Sequence, residues 1–396
     1  MKIVEEAEVI SILDFFRDLP DPRCSVNRKH PLGEIIVICI CATLAGADGP
    51  KAIGKWAMAK KDWLLKVLML PHGIPSHDTI GRVLATLKPS AFQACFAQWT
   101  AGLQSAHVAP NAEQLKQIAI DGKALRRSHD QRHQLGPLFL VSAWSVECGV
   151  SLGQLATDEK SNEITAIPAL LENLDVKGAI VTIDAAGCQK NIAQQIIDGG
   201  GHYVLSLKGN QGNIHQDVAA YFVEQMADDF AQVTAQQLEV KEKGHGRNTT
   251  YWYTQLPVPE TLRGQELWAN LTTIGVAVRH SRSAGKDTYD TRYFLSSLPL
   301  NVKQFAQAVR GHWAIENTLH WCLDVTFRED ESRLRDRIAA DNVAWLKRFA
   351  IGLLKQVARS PARSSANENW LSGTNAGPLN WIPAYPSLNH PWVKPC

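Results

Sequence analysis

Three acidic residues stand where a charge is costly: Asp121 in IAIDGKALRRS, Asp184 in AIVTIDAAGCQ and Glu316 in GHWAIENTLHW. The two aspartates end short apolar runs, and the glutamate lies in an aromatic helical stretch. A carboxylate at the end of a buried strand must be paired, hydrogen-bonded or bound to a cation. Three of them meeting at one point would make a divalent-metal site. Oxygen donors with few cysteines nearby favour a hard ion, Mg²⁺ or Mn²⁺. Two such ions about 4 Å apart can activate a water or a 3′-hydroxyl and stabilise the leaving oxygen in phosphodiester cleavage and strand transfer. Taken singly, each aspartate is better explained by local structure, a turn with Gly122 or a helix cap at Asp184. Their joint placement after apolar strands shifts the balance towards chemistry.

The elements that position these acids begin at Gln117, where the texture becomes strand-like: Gln117 to Leu125, Leu138 to Val146 and Val150 to Ala156. A helix follows, capped at Ser161-Asn162-Glu163, with an apolar stripe at Ile164, Ile167, Leu170, Leu171 and Leu174. Then come an apolar strand, Ala179 to Ile183, a helix from Gln189 to Ile197, and a strand from Tyr203 to Leu207. Strands that are apolar throughout and alternate with helices predict a sheet covered on both faces. Three strands, helix, strand, helix, strand is the order of a ribonuclease-H-like core, in which the first and fourth strands are neighbours. That adjacency would bring Asp121 beside Asp184.

Between Lys208 and Pro299 the pattern is a helix and then β-rich segments, a β insertion at about 209–299 inside the core domain. A helix from about Val302 to Leu323 returns the chain to the core. At α-helical spacing its His312, Glu316 and His320 share one face. Upstream, residues 9–105 read as mostly helical, with a helix start at Ser76 before Thr79-Ile-Gly-Arg-Val-Leu, and the stretch 104–116 reads as a linker. The expected fold class is therefore α/β: a ribonuclease-H-like mixed-sheet core over 111–358 preceded by an all-helical domain over 1–110. Residues 359–396 have little periodicity and form an irregular tail.

The segments IDGKALRRS, VSAWSVECGVSLGQ, KSNEITAIPALLENL, VTIDAAGCQKNIAQQI, GHYVLSLKGNQ, RYFLSSL and HWAIENTLHWCLDVTFREDESR resemble those of the DDE-type insertion-sequence transposases, specifically the H-repeat-associated group. DPR…HPLGEII…LAGADG…IGKWA…PSHDTIGRVL resembles the helical domain that precedes the catalytic core in that family. The likeness covers about residues 9–358, with long motifs in the right order. It implies that Asp121, Asp184 and Glu316 are the catalytic, metal-binding triad for two Mg²⁺ or Mn²⁺ ions. It also implies double-stranded DNA as the partner, namely the element's terminal repeats and a target, with a homodimer or higher oligomer assembled on it. In related transposases an arginine four residues before the glutamate and a lysine seven after it hold DNA phosphates. Here those positions are His312 and Leu323, with Arg310 and His320 as the nearby substitutes.

Further DNA contacts are expected from the basic cluster Lys123, Arg126 and Arg127, from Lys208 just past a core strand, and from His245 and Arg247 in the glycine-flanked loop KEKGHGR. Recognition of the element ends falls to the helical domain, with Lys51, Lys55, Lys60, Lys61 and Arg82. The arginines after Glu316 are interleaved with acids and read as a solvated, salt-bridged surface. Trp144, Trp313 and Trp321 read as packing residues.

With 41 basic and 39 acidic residues the net charge is +2, so any surface for a polyanion must be a local patch. The eight cysteines show no CxxC pair and read as buried free thiols. The N-terminus carries acids where a signal peptide carries bases, and the run from Ile35 to Ala47 is too short to span a bilayer, so the expectation is a cytoplasmic protein with no membrane partner. No GxxxxGK[ST] loop is present, which argues against a nucleotide. Two rival readings remain: a zinc or iron site built from His312, Glu316 and His320 on one helix face, and a decayed transposase that only binds DNA.

Overall fold

The computed structural model describes residues 12–26, 28–106, 115–157, 163–244, 247–283 and 286–359. The tail, the loop residue His245, the cap Ser161-Asn162 and linker residues 107–114 lie outside that set. The chain forms two compact units, residues 1–96 with 342–396, and residues 97–341.

The first unit is helical. α1 (Leu32–Leu44) is apolar nearly all round, and Ile35, Ile36, Ile38 and Ile40 are fully buried. It is followed by α2 (Pro50–Ala59), α3 (Lys61–Val67), α4 (His77–Thr86) and α5 (Pro89–Ala106), the last running on into the second unit. Proline at the first position of α2 has no N–H to leave unsatisfied, and the Ser76 hydroxyl caps α4 by accepting from the Thr79 N–H at 3.2 Å. An aromatic cluster fills the centre, with Phe96 stacked on Trp345 at 5.5 Å and packed on Phe92 at 4.7 Å. Trp345 comes from α10 (Arg337–Arg359), whose Asn342 carboxamide donates to the carbonyls of Leu84 and Leu87, both at 2.8 Å. Such bonds satisfy the open carbonyls at the end of α4.

The second unit is built on one nine-stranded sheet. Its first five strands are β1 (Lys116–Leu125), β2 (Leu138–Ser145), β3 (Val150–Thr157), β4 (Ala179–Ile183) and β5 (His202–Leu207), with α6 (Glu163–Leu171) before β4 and α7 (Lys190–Asp198) after it. After α8 (Asn213–Ala227) come β6 (Gln236–Gly244), β7 (Arg247–Pro257), β8 (Thr273–Ser283) and β9 (Lys286–Ser296). The spatial order is β3-β2-β1-β4-β5-β9-β8-β7-β6. β1, β4 and β5 are parallel neighbours while β2 and β3 run antiparallel, which is the expected ribonuclease-H-like arrangement. The β insertion extends the same sheet, because β9 pairs antiparallel with β5.

Period-two alternation divides the strands between two cores. Ile118, Ile120, Val181 and Ile183 face a cluster with residues of α6, α7 and α8. Ile180 and Val204 face the opposite way, onto Val302, Phe305, Ala308 and Val309 of α9 (Val302–Ala314). α9 starts where the Asn301 side chain accepts from the Gln304 N–H. The expected single α-helix to Leu323 is not what forms: α9 stops at Ala314, and two π-helical segments, Ile315–His320 and Cys322–Thr326, continue the rod. The Trp321 N–H reaches the Glu316 carbonyl, five residues back, which widens each turn and re-aims the side chains.

Candidate active site

The last parallel row between β1 and β4 pairs Ile120 with Ile183. Asp121 and Asp184 are each the next residue, so the two carboxylates leave neighbouring strands at the same level. Asp121 does not end its strand; β2 keeps pairing with it through Leu125↔Leu138 after β4 has stopped. One Asp184 oxygen accepts from the N–H groups of Ala186 at 3.0 Å and Gly187 at 3.4 Å, which fixes it at the turn into α7. Asp121 accepts from the Gly122 N–H at 2.9 Å.

Glu316 is delivered by the rod that crosses the opposite face, and it lines a cavity of about 110 Å³ together with Asp184, Thr182, His312 and Trp313. What holds that rod is a polar bolt between the sheet and α9. Gln117 of β1 is buried, and its side-chain N–H groups donate to Thr182 Oγ1 at 3.2 Å and to the Ala308 carbonyl at 2.7 Å. Thr182 Oγ1 also lies 3.2 Å from His312 Nδ1. The close approach requires a glycine: a Cβ on Gly311 would stand 1.9 Å from the Gln117 carboxamide oxygen.

Electrostatics mark the spot. Asp121 is pushed up to about 7, first by burial and then by the charge of Asp184, with Glu316 and Glu163 adding to it. Glu163, at the start of α6, was legible only as a helix cap. Here it is buried, and a Cβ on Gly122 would meet its oxygen at 1.6 Å, so Gly122 serves close packing against a fourth acid rather than a turn. His320 Nδ1 stands 3.5 Å from Asp121 Oδ2. His312 is driven down to about 4 by burial, so it is neutral near pH 7. The two histidines thus attend different aspartate strands, which disfavours the reading of a single-face zinc or iron site. Among the described residues no three such side chains are gathered at ion-holding distance, and mutually repelling carboxylates would not gather without a cation between them. An all-oxygen donor set of three carboxylates, in which Asp184 and Glu316 raise the proton affinity of Asp121, fits a hard divalent ion.

The expected cations divide into two groups. Lys123 is buried, with its ammonium 2.7 Å from Asp324 and 2.9 Å from Asp330, and Arg126 lies 3.1 Å from the same Asp330. Lys123 therefore ties β1 to the segment after Glu316. Arg310 is bonded to Glu242 and lies 5.0 Å over the Tyr251 ring, at the insertion strands. Lys208 is exposed and borders the cavity. Arg127 is exposed, only the backbone of Arg247 is described, and Leu323 is fully buried core. Trp144 is buried as expected, whereas Trp321 is 44% exposed. Sequence reasoning missed Gln117, Gly311 and Arg292. The only signal for Gln117 was a polar residue directly before the apolar run Ile118-Ala119-Ile120.

Comparison with known proteins decides the family. The model described as "Transposase DDE domain" matches residues 113–353, and "DDE_Tnp_1-associated" matches residues 13–100. The chain belongs to the DDE transposase family. It is 38% identical over 349 residues to "Putative transposase YncI" of Escherichia coli O157:H7, covering 87% of each chain. It is 34% identical over 382 residues to "H repeat-associated putative transposase YhhI" of Escherichia coli K12, covering 93% of this chain and 99% of the relative. The piggyBac transposase in a synaptic complex with hairpin DNA matches 96% of this chain and 80% of its own at 10% identity, with a TM-score of 0.38, too low to carry weight. Within the described residues of this DDE-family chain no helix is long and apolar enough to cross a membrane.

Proposed function

We propose that this transposase-family chain is an active DNA transposase: it cuts a phosphodiester at the ends of its element and joins the freed 3′-hydroxyl to target DNA. The observation that carries this reading is the placement of Asp121 and Asp184 one step past the last parallel row, with Glu316 brought over them. Asp121, Asp184 and Glu316 are the residues that would hold two Mg²⁺ or Mn²⁺ ions. Bound there, the ions supply Lewis-acid polarisation of the phosphate and a lowered pKa for the attacking water or hydroxyl.

The protein's part is orientation. The Ala186 and Gly187 N–H groups keep the Asp184 carboxylate in one rotamer, and the Gln117–Thr182 bolt keeps the Glu316 rod seated on the sheet. His320 stands beside Asp121, its Nδ1 3.5 Å from Oδ2. Lys208 lines the cavity, and it and the exposed Arg126 and Arg127 after Asp121 are the cations we assign to the DNA backbone, while Lys123 positions the strand that carries Asp121. In the first unit Lys51, Lys55, Lys61 and Arg82 are exposed on α2, α3 and α4, and this face is the one we assign to the element ends. We further place the protein in the cytoplasm, working as a dimer or larger assembly on DNA.

The test is a strand-cleavage assay on duplex DNA carrying the terminal repeat of its element. Wild type should nick it only with Mg²⁺ or Mn²⁺, and Glu316→Gln should not. Full-length protein with Lys55→Gln and Lys61→Gln should lose affinity for the repeat; unchanged affinity would remove the first unit from end recognition.

A further inference from the structure

Two cations also line the cavity beside Asp184 and Glu316: Lys208 just after β5, already an expected DNA contact, and Arg292 on β9, which opens the motif RYFLSSL but has no role expected from sequence. The register explains the pairing. The last row between β5 and β9 joins Leu207 to Tyr293, so Lys208 and Arg292 both lie one step beyond it, at the end of the sheet where Asp184 leaves β4. Arg292 is held rather than loose. Its guanidinium carbon is 5.4 Å from the centroid of the Trp313 ring, and its Nε donates to Asp290 Oδ2 at 3.0 Å. Neither Nη group has a hydrogen-bond partner among the described residues, and the side chain is about one-third exposed. A planar guanidinium fixed by a ring on its face and an acid at Nε offers its remaining N–H groups in a set geometry, which suits a phosphate better than a point charge does.

Resting on the transposase reading above, we propose that Arg292, with Lys208, forms the phosphate-holding side of the active site. It grips a backbone phosphate of the DNA strand next to the one that is cut. The physical need is plain: a polyanion must enter a cavity lined by carboxylates, and two cations in the same lining offset that repulsion and set which phosphate lies over the acids. Trp313 serves as the platform on which Arg292 is laid.

The test is binding of the full chain to a duplex carrying the terminal repeat, measured by fluorescence anisotropy without divalent ions and over a range of salt. Arg292→Gln should weaken binding about tenfold at low salt. Each phosphate contact contributes about 0.9 to the slope of log affinity against log salt, so that slope should fall by roughly one. Arg292→Lys should restore the slope but only part of the affinity, since it keeps the charge and loses the fork. Lys208→Gln provides a second variant in the same lining, with the same expected fall in slope. Unchanged affinity and slope in both glutamine variants would overturn the proposal. Metal-dependent cleavage by wild type, run in parallel, is a separate outcome: its loss would sink the enzyme reading while leaving the salt slopes to judge Arg292.

Discussion

The carboxamide of Gln117 occupies the space that a side chain on Gly311 would need, and through it β1 is bonded to the helix that delivers Glu316. Gly311→Ala should push the two apart, at an overpacking cost of about 1–3 kcal/mol. Urea denaturation should show that loss, and cleavage should fall further than stability does, because the displaced element carries a catalytic acid. A folded, moderately destabilised and inactive Gly311→Ala protein would agree with this; an unchanged, fully active one would not.

Lys123 is expected to behave as a structural group. Removing a buried charge from between Asp324 and Asp330 leaves both acids without their main counter-charge, so Lys123→Met should cost on the order of 3 kcal/mol. Arg126→Gln, at a largely exposed partner of the same Asp330, should cost under about 1 kcal/mol. Thermal or chemical denaturation of the two variants checks the order, and equal losses would mean that burial does not set it.

Asp121 makes stability depend on pH in a stated direction. Its folded-state pKa of about 7 lies above the unfolded value of about 3.9, so between those limits the folded protein binds the extra proton. Its contribution is then fully present below pH 4 and lost as pH rises through 7. Without divalent ions, the difference in melting temperature between wild type and Asp121→Asn should therefore widen in favour of the variant from pH 5 to pH 8. Mg²⁺ should raise the wild-type midpoint more at pH 8 than at pH 5, since the ion and the proton compete for the same oxygen. A pH-independent difference would show that the carboxylates around Asp121 are already offset.

Much of this was legible in the chain itself. Apolar strands alternating with helices gave the order that makes β1 and β4 neighbours, and with it the Asp121–Asp184 pair. The winding after Ala314 was not legible, because a π-helical turn arises from tertiary packing of residues such as Ile315, Leu319 and Leu323 rather than from a local pattern. Lys123 looked like part of a basic rim because its neighbours in sequence are arginines. Its partners, Asp324 and Asp330, come from a distant segment that only the folded sheet brings near. For the same reason the roles of Arg292 and Gln117 were not legible: each acts across strands or between a strand and a helix, where spacing along the chain says nothing.

The central claim is that the acids just past the last row between β1 and β4 cut DNA with a divalent ion, and it is tested most directly by Mn²⁺-dependent cleavage of a terminal-repeat duplex by wild type and by Asp184→Asn. Strand breaks from wild type, none without metal and at least a thousandfold fewer from Asp184→Asn, about 4 kcal/mol in activation free energy, are the expected result. No cleavage by folded wild type, or equal cleavage by Asp184→Asn, would contradict it.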